Sequence, residues 1–190
     1  MNRYVNELQL PFETSMLIDP LVVNKSLENP SKASATFNTS DPLSVLNPKF
    51  YKWLETRGVT PLFTTVWNWI DKIEDYAHVD VRDISRYRPS TALLWVIHHN
   101  NTELRWYDLP EYDMVPLNEA KVTDIDGNSY SHLPDKVYVR GLEADHVYRG
   151  HGPALINIGI PHLATGPNRV VVSLQFEEDF TYEEFCSRLI

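Results

Sequence analysis

The chain has one cysteine, Cys186, in 190 residues. An internal disulfide framework is therefore excluded, which fits a reducing compartment. Basic charge is scarce as well: 17 Lys and Arg stand against 26 Asp and Glu, a net charge of -9. No basic patch interrupts that excess, which argues against nucleic acid or an anionic membrane as the main partner. Long apolar runs are also missing. Stretches such as Ala92 to Ile97 fall far short of the roughly 20 residues that a membrane-spanning helix needs. The first ten residues hold Arg3, Asn6 and Glu7 and no apolar core, unlike a signal peptide. Together these features predict a soluble, cytoplasmic protein. Three signatures are also absent: the G-x-S-x-G elbow, the P-loop and the dinucleotide fingerprint.

Hydrophobic residues make up 43% of the chain, which is enough for a core and too many for a disordered chain. The length fits one domain, residues 1–190. Pro and Gly punctuate many short β-branched or aromatic segments, the pattern of a mainly β fold with a few flanking helices. The Ser-, Asn- and Thr-rich stretch Asn24 to Asp41 reads as a long loop that could serve as a lid. Helix starts are signalled at Asp41-Pro42 and Asn47-Pro48, with Phe50, Trp53 and Leu54 at helical spacing and Gly58 as a stop. Residues 1–60 thus read as an extension of helix and loop packed on a core barrel spanning 61–180.

Strand signals dominate that core. Leu62 to Ile70 is aromatic and β-branched. Thr91 to Ile97 and Glu103 to Leu109 flank a turn-like segment at 98–102, which predicts a hairpin. Lys121 to Ile125 and Ser129 to Leu133 flank Asp126-Gly127 and predict another. Lys136 to Arg140, Ala154 to Ile160 and Arg169 to Phe176 follow. A closing helix begins near Tyr182, with Thr181 as its cap and Glu184 three residues on. So many short strands suggest a jelly roll or another closed sandwich.

Two segments could carry chemistry. In a strand, residues two apart share a face, so His78 and Asp80 would present an imidazole and a carboxylate side by side. His162 lies just past the apolar segment Leu155 to Ile160. Two histidines and one carboxylate make a facial metal triad with open coordination positions. Arg169 and Ser173 share a second strand face, while Val170, Val172, Leu174 and Phe176 line the other. An arginine in so apolar a strand needs an anionic partner: an Asp or Glu in the protein, or the carboxylate of a bound organic acid.

The remaining candidates read differently. His98 and His99 belong to a turn, and His132, His146 and His151 show no recurring ligand spacing. No HxH triplet occurs, so the metal signature of a cupin is missing. Trp67, Trp69, Trp95 and Trp106 suit core or site wall, and Cys186 suits packing beside Phe185.

Four pieces in this order resemble Fe(II)/2-oxoglutarate-dependent oxygenases, in particular small members from marine phages and metagenomes. They are His78-Val79-Asp80, the segment His98 to Asp108 (HHNNTELRWYD), Ile158 to His162, and Arg169 to Ser173. The resemblance covers roughly Trp67 to Phe176. It implies a double-stranded β-helix, the cupin-like jelly roll, with Fe(II) on His78, Asp80 and His162. It also implies 2-oxoglutarate as cosubstrate, its far carboxylate paired with Arg169 and assisted by Ser173. The substrate would be a small molecule or a peptide side chain. The chain departs from the family pattern in the short spacing of seven residues between His162 and Arg169. It departs again in the charged run after Asp80. The alternatives are an oxygenase relative without catalysis, a metal-dependent isomerase or hydrolase on the same barrel, and a non-enzymatic jelly-roll module with a binding or structural role that uses aromatics such as Trp106 and Tyr107.

Overall fold

The computed structural model describes residues 1–13, 17–19, 37–39, 45–69, 76–80, 90–98, 103–109, 115–116, 120–123, 129–132, 135–166 and 169–190. At 37–39, 63, 66–69, 76, 98, 115–116, 120–123, 129–132, 135–136 and 169 only the backbone is described. In chain order the elements are β1 (Val5–Glu7), β2 (Phe37–Thr39), α1 (Pro48–Glu55), β3 (Pro61–Trp69), β4 (Tyr76–Val79), β5 (Thr91–His98), β6 (Glu103–Trp106) and β7 (Val115–Pro116). They continue with β8 (Ala120–Thr123), β9 (Ser129–His132), β10 (Asp135–Tyr138), β11 (His146–Tyr148), β12 (Ala154–Asn157), β13 (His162–Thr165), β14 (Arg169–Phe176) and α2 (Tyr182–Leu189).

The fold is mainly β. One six-stranded antiparallel sheet runs β1-β12-β5-β14-β3-β2 and a second runs β11-β6-β13-β4-β10-β7, with β8 and β9 as a separate pair. Strand alternation explains the layering. On β14, Val170, Val172, Leu174 and Phe176 turn to one side and join Leu93, Trp95 and Leu155. The two helices cover that side with Phe50, Leu54, Tyr182, Phe185, Cys186 and Leu189. On the other side of the same sheet, Ala92, Ala154 and Ile156 pack against Leu104 and Trp106 of the second sheet. This is the inner face. Beyond the second sheet, Ala77, Tyr107, Val137, Val139 and Leu163 form an outer cluster.

Both helices start where the sequence signals them. The Asn47 side chain accepts from the Lys49 N–H, and Pro48 opens α1. After α1, Gly58 at φ +64° donates to Glu55 O while Val59 donates to Leu54 O, a glycine-terminated stop. At α2, the Thr181 hydroxyl accepts from the Glu184 N–H at 3.2 Å, and the Glu184 carboxylate accepts from the Thr181 N–H at 2.8 Å. The start signal at Asp41-Pro42 and most of the loop at 24–41 lie outside the described residues.

Two features differ from the sequence reading. Strands β5 and β6 do not form a hairpin: β5 pairs with β12 and β14, and β6 with β11 and β13. The reason is burial. β5 is apolar on both sides, with Leu93 and Trp95 toward the helices and Ala92 toward the second sheet, so it belongs mid-sheet. β6 instead alternates buried Leu104 and Trp106 with partly exposed Glu103 and Arg105. The β8–β9 pairing does form, with Ala120 opposite His132 and Thr123 opposite Ser129.

The second difference is that residues 1–60 also supply strands, β1 against β12 and β2 against β3. The β1 edge is tied to the β11 edge across the two sheets. Tyr4 stacks on His146 at 5.1 Å, and the Tyr148 hydroxyl donates to Glu7 Oε1 at 2.9 Å. No helix among the described residues is long and apolar enough to cross a membrane.

Removing the α2 cap with Thr181→Ala is expected to cost about 1 kcal/mol of stability. Urea unfolding should show a lower midpoint at unchanged slope; an unchanged midpoint would deny the cap a role.

Candidate metal centre

The inner face of the second sheet carries the group singled out in sequence. Ala77 of β4 and Leu163 of β13 turn to the outer cluster. Alternation then turns His78 and His162 inward. His162 sits directly opposite His78 on one side and opposite Trp106 of β6 on the other. The two imidazole centroids lie 4.4 Å apart at 51°. Asp80 follows the end of β4, where its N–H donates to Ile158 O at 3.4 Å. The Ile158 N–H in turn donates to Ser90 O at 2.9 Å.

His78 Nε2 and Asp80 Oδ1 are 3.6 Å apart. One ligand atom each from His78, Asp80 and His162 all fall within 4.8 Å of one another. His162 is only 4% exposed, whereas the side chains of His78 and Asp80 are 28% and 14% exposed. The centre is thus backed by the core and open on one side. Its outer groups are set as well. His162 Nδ1 donates to Ile160 O at 3.0 Å, which fixes the tautomer and leaves Nε2 with the lone pair. Gln175 Nε2 donates to Asp80 Oδ2 at 3.4 Å. The Tyr107 N–H holds the loop before β13 through Pro161 O at 2.9 Å.

These donors fit a divalent transition metal. Two imidazole nitrogens and one carboxylate oxygen are borderline ligands, and three protein ligands leave positions for others. An ion pair of His78 with Asp80 would explain those two residues but not His162, which is buried beside them with its tautomer set. His78, Asp80 and His162 therefore form a triad that could hold a metal ion.

The two residues expected to bind the cosubstrate fare differently. Ser173 is half-buried on β14, opposite Thr65 and Leu94 and two residues from Gln175. Arg169 opens β14, its backbone opposite Trp69; its side chain lies outside the described residues. Gln175, six residues further on, touches Asp80. At the rise of a strand this separates the two backbones by about 20 Å, against about 7 Å from Gln175 to Ser173.

Trp106 and Tyr107 are buried, so they offer no exposed platform to a ligand. Trp95 is buried on the helix side against Phe50. The side chains of Trp67, Trp69, His98 and His132, and all of residues 99–102, lie outside the described residues. His146 is taken up by its stack on Tyr4, and His151 is exposed. Burial pushes the Cys186 thiol up, the opposite of what a nucleophile needs. Gln175 is the site residue that the sequence reading missed. Its signal was a second polar residue, two after Ser173, on the inward side of an otherwise apolar strand.

Comparison with family models, with curated proteins and with solved structures returns no match.

A ligand that binds only the folded state stabilises it, by about 2.7 kcal/mol at one hundred times its dissociation constant. Adding Co(II) to metal-stripped protein should therefore raise the melting temperature, and Asp80→Ala and His162→Ala should abolish the rise. Melting of the wild-type protein unmoved by Co(II) or Fe(II) would remove the metal centre.

Proposed function

We propose that the protein is an Fe(II)/2-oxoglutarate-dependent oxygenase on a jelly-roll scaffold, acting on a small molecule or a peptide side chain. The observation that carries this reading is the convergence of His78, Asp80 and His162 on the inner wall between the sheets. Strand order supports the scaffold. Within the first sheet β12, β5, β14 and β3 are neighbours, and within the second β11, β6, β13 and β4. Four neighbouring strands in each sheet, in this order, match the double Greek key expected of a jelly roll, or double-stranded β-helix, and so support this reading of the scaffold.

The donor set favours Fe(II), which when bound supplies oxygen and one-electron chemistry. The chain's own residues do the placing. His162 offers Nε2 because its other nitrogen is committed to Ile160 O. Asp80 offers Oδ1, with Oδ2 held by Gln175. Ala92, Ile156, Ile158 and Trp106 form a dry wall behind them. Trp106 is fixed there by its Nε1–H, which donates to Asn157 O at 2.8 Å.

A second reading is a metal-dependent isomerase or hydrolase on the same barrel, which would use the triad without 2-oxoglutarate. The binding-module alternative would need aromatics other than Trp106 and Tyr107, which are buried.

Anaerobic titration with Fe(II) and then 2-oxoglutarate separates these readings. The oxygenase reading expects the visible metal-to-ligand charge-transfer band of a chelating keto acid, lost in His78→Ala and Arg169→Ala. Fe(II) binding with no such band would overturn it in favour of the second reading.

A further inference from the structure

We propose that Gln175 is the positioning residue of the metal centre, holding Asp80 to a single ligand oxygen. This rests on reading the triad as a metal site; it does not depend on the cosubstrate. On β14, Val172, Leu174 and Phe176 turn to the helices, which leaves Gln175 on the inner face, where it is 6% exposed. Its amide nitrogen meets Asp80 Oδ2 at 3.4 Å. An ionised carboxylate only accepts, so the amide must present its N–H there and cannot be flipped. The other end of the amide, Oε1, is then buried with no donor among the described residues.

An unpaired buried carbonyl destabilises a fold, and an apolar side chain of the same length would fill the space without that penalty. A glutamine is thus the wrong residue for stability alone. What it provides is control of Oδ2. With Oδ2 engaged, the oxygen left for a metal is Oδ1, which faces His78 Nε2 at 3.6 Å. Asp80 then binds through one oxygen and leaves one more coordination position open than a bidentate carboxylate would. Groups that orient a ligand in this way commonly affect metal affinity as much as a weak ligand does.

The test uses the full chain, stripped of metal and titrated with Co(II), comparing wild type with Gln175→Met and Gln175→Asn. Methionine keeps the length and removes the donor; asparagine keeps the amide and draws it back from Asp80. Both variants should bind Co(II) about 10–100-fold more weakly. Both should also show altered visible d–d absorption as Asp80 becomes free to chelate. The metal-free melting temperature of Gln175→Met should equal or exceed that of wild type, because the orphaned carbonyl is gone. If the methionine variant does not fold, the asparagine variant carries the same affinity and spectral expectation. Wild-type affinity with a wild-type spectrum would overturn the proposal, as would a loss of affinity matched by a fall in metal-free stability. Wild-type protein that binds no Co(II) would instead sink the metal reading itself, and this inference with it.

Discussion

The site depends on the register between β13 and β4. His162 faces His78 because those two positions are paired, and strand alternation does the rest. A slip of one residue would set Leu163 opposite His78 and send His162 into the outer apolar cluster. Burial on both faces opposes that slip. Leu163 and Ala77 are committed outward, beside Val137 and Tyr107, while Trp106 fills the inner position on the far side of His162. The Tyr107 N–H bound to Pro161 O pins the residue just before the strand. The geometry of the candidate triad is therefore inherited from apolar packing that has no chemical role of its own.

The same logic runs through β14. Its outward residues are held by two helices whose caps were written in the sequence, Asn47 before α1 and the Thr181–Glu184 box before α2. With that face fully apolar, the strand cannot turn over, and its inward positions are free to be polar. Ser173 and Gln175 occupy two of them, beside the apolar Val171. The helices thus stabilise a wall they never touch from the inside.

What was legible in the sequence was local. Spacing gave the shared face of His78 and Asp80, the polarity split along β14, both helix starts and the β8–β9 pairing. What was not legible depends on partners far away along the chain. The segment between β5 and β6 has the residues of a turn whether it closes a hairpin or crosses between sheets, and only the two-sided burial of β5 decides. Strands β1 and β2 are three residues each, too short for a period to emerge. Gln175 meets Asp80 across 95 residues, and no motif marks that distance.

Alternation states which face a residue takes, and Arg169 and Ser173 do share their parity. It does not state depth along the strand. Depth follows from what pairs with what: Gln175 lies level with Asp80, Ser173 comes next, and Arg169 starts about 20 Å from Gln175. A ligand entering from the triad along β14 would meet an amide first and then a hydroxyl, both neutral. Among the described residues, the near stretch of this strand therefore suits a hydrogen-bonding group rather than a second carboxylate.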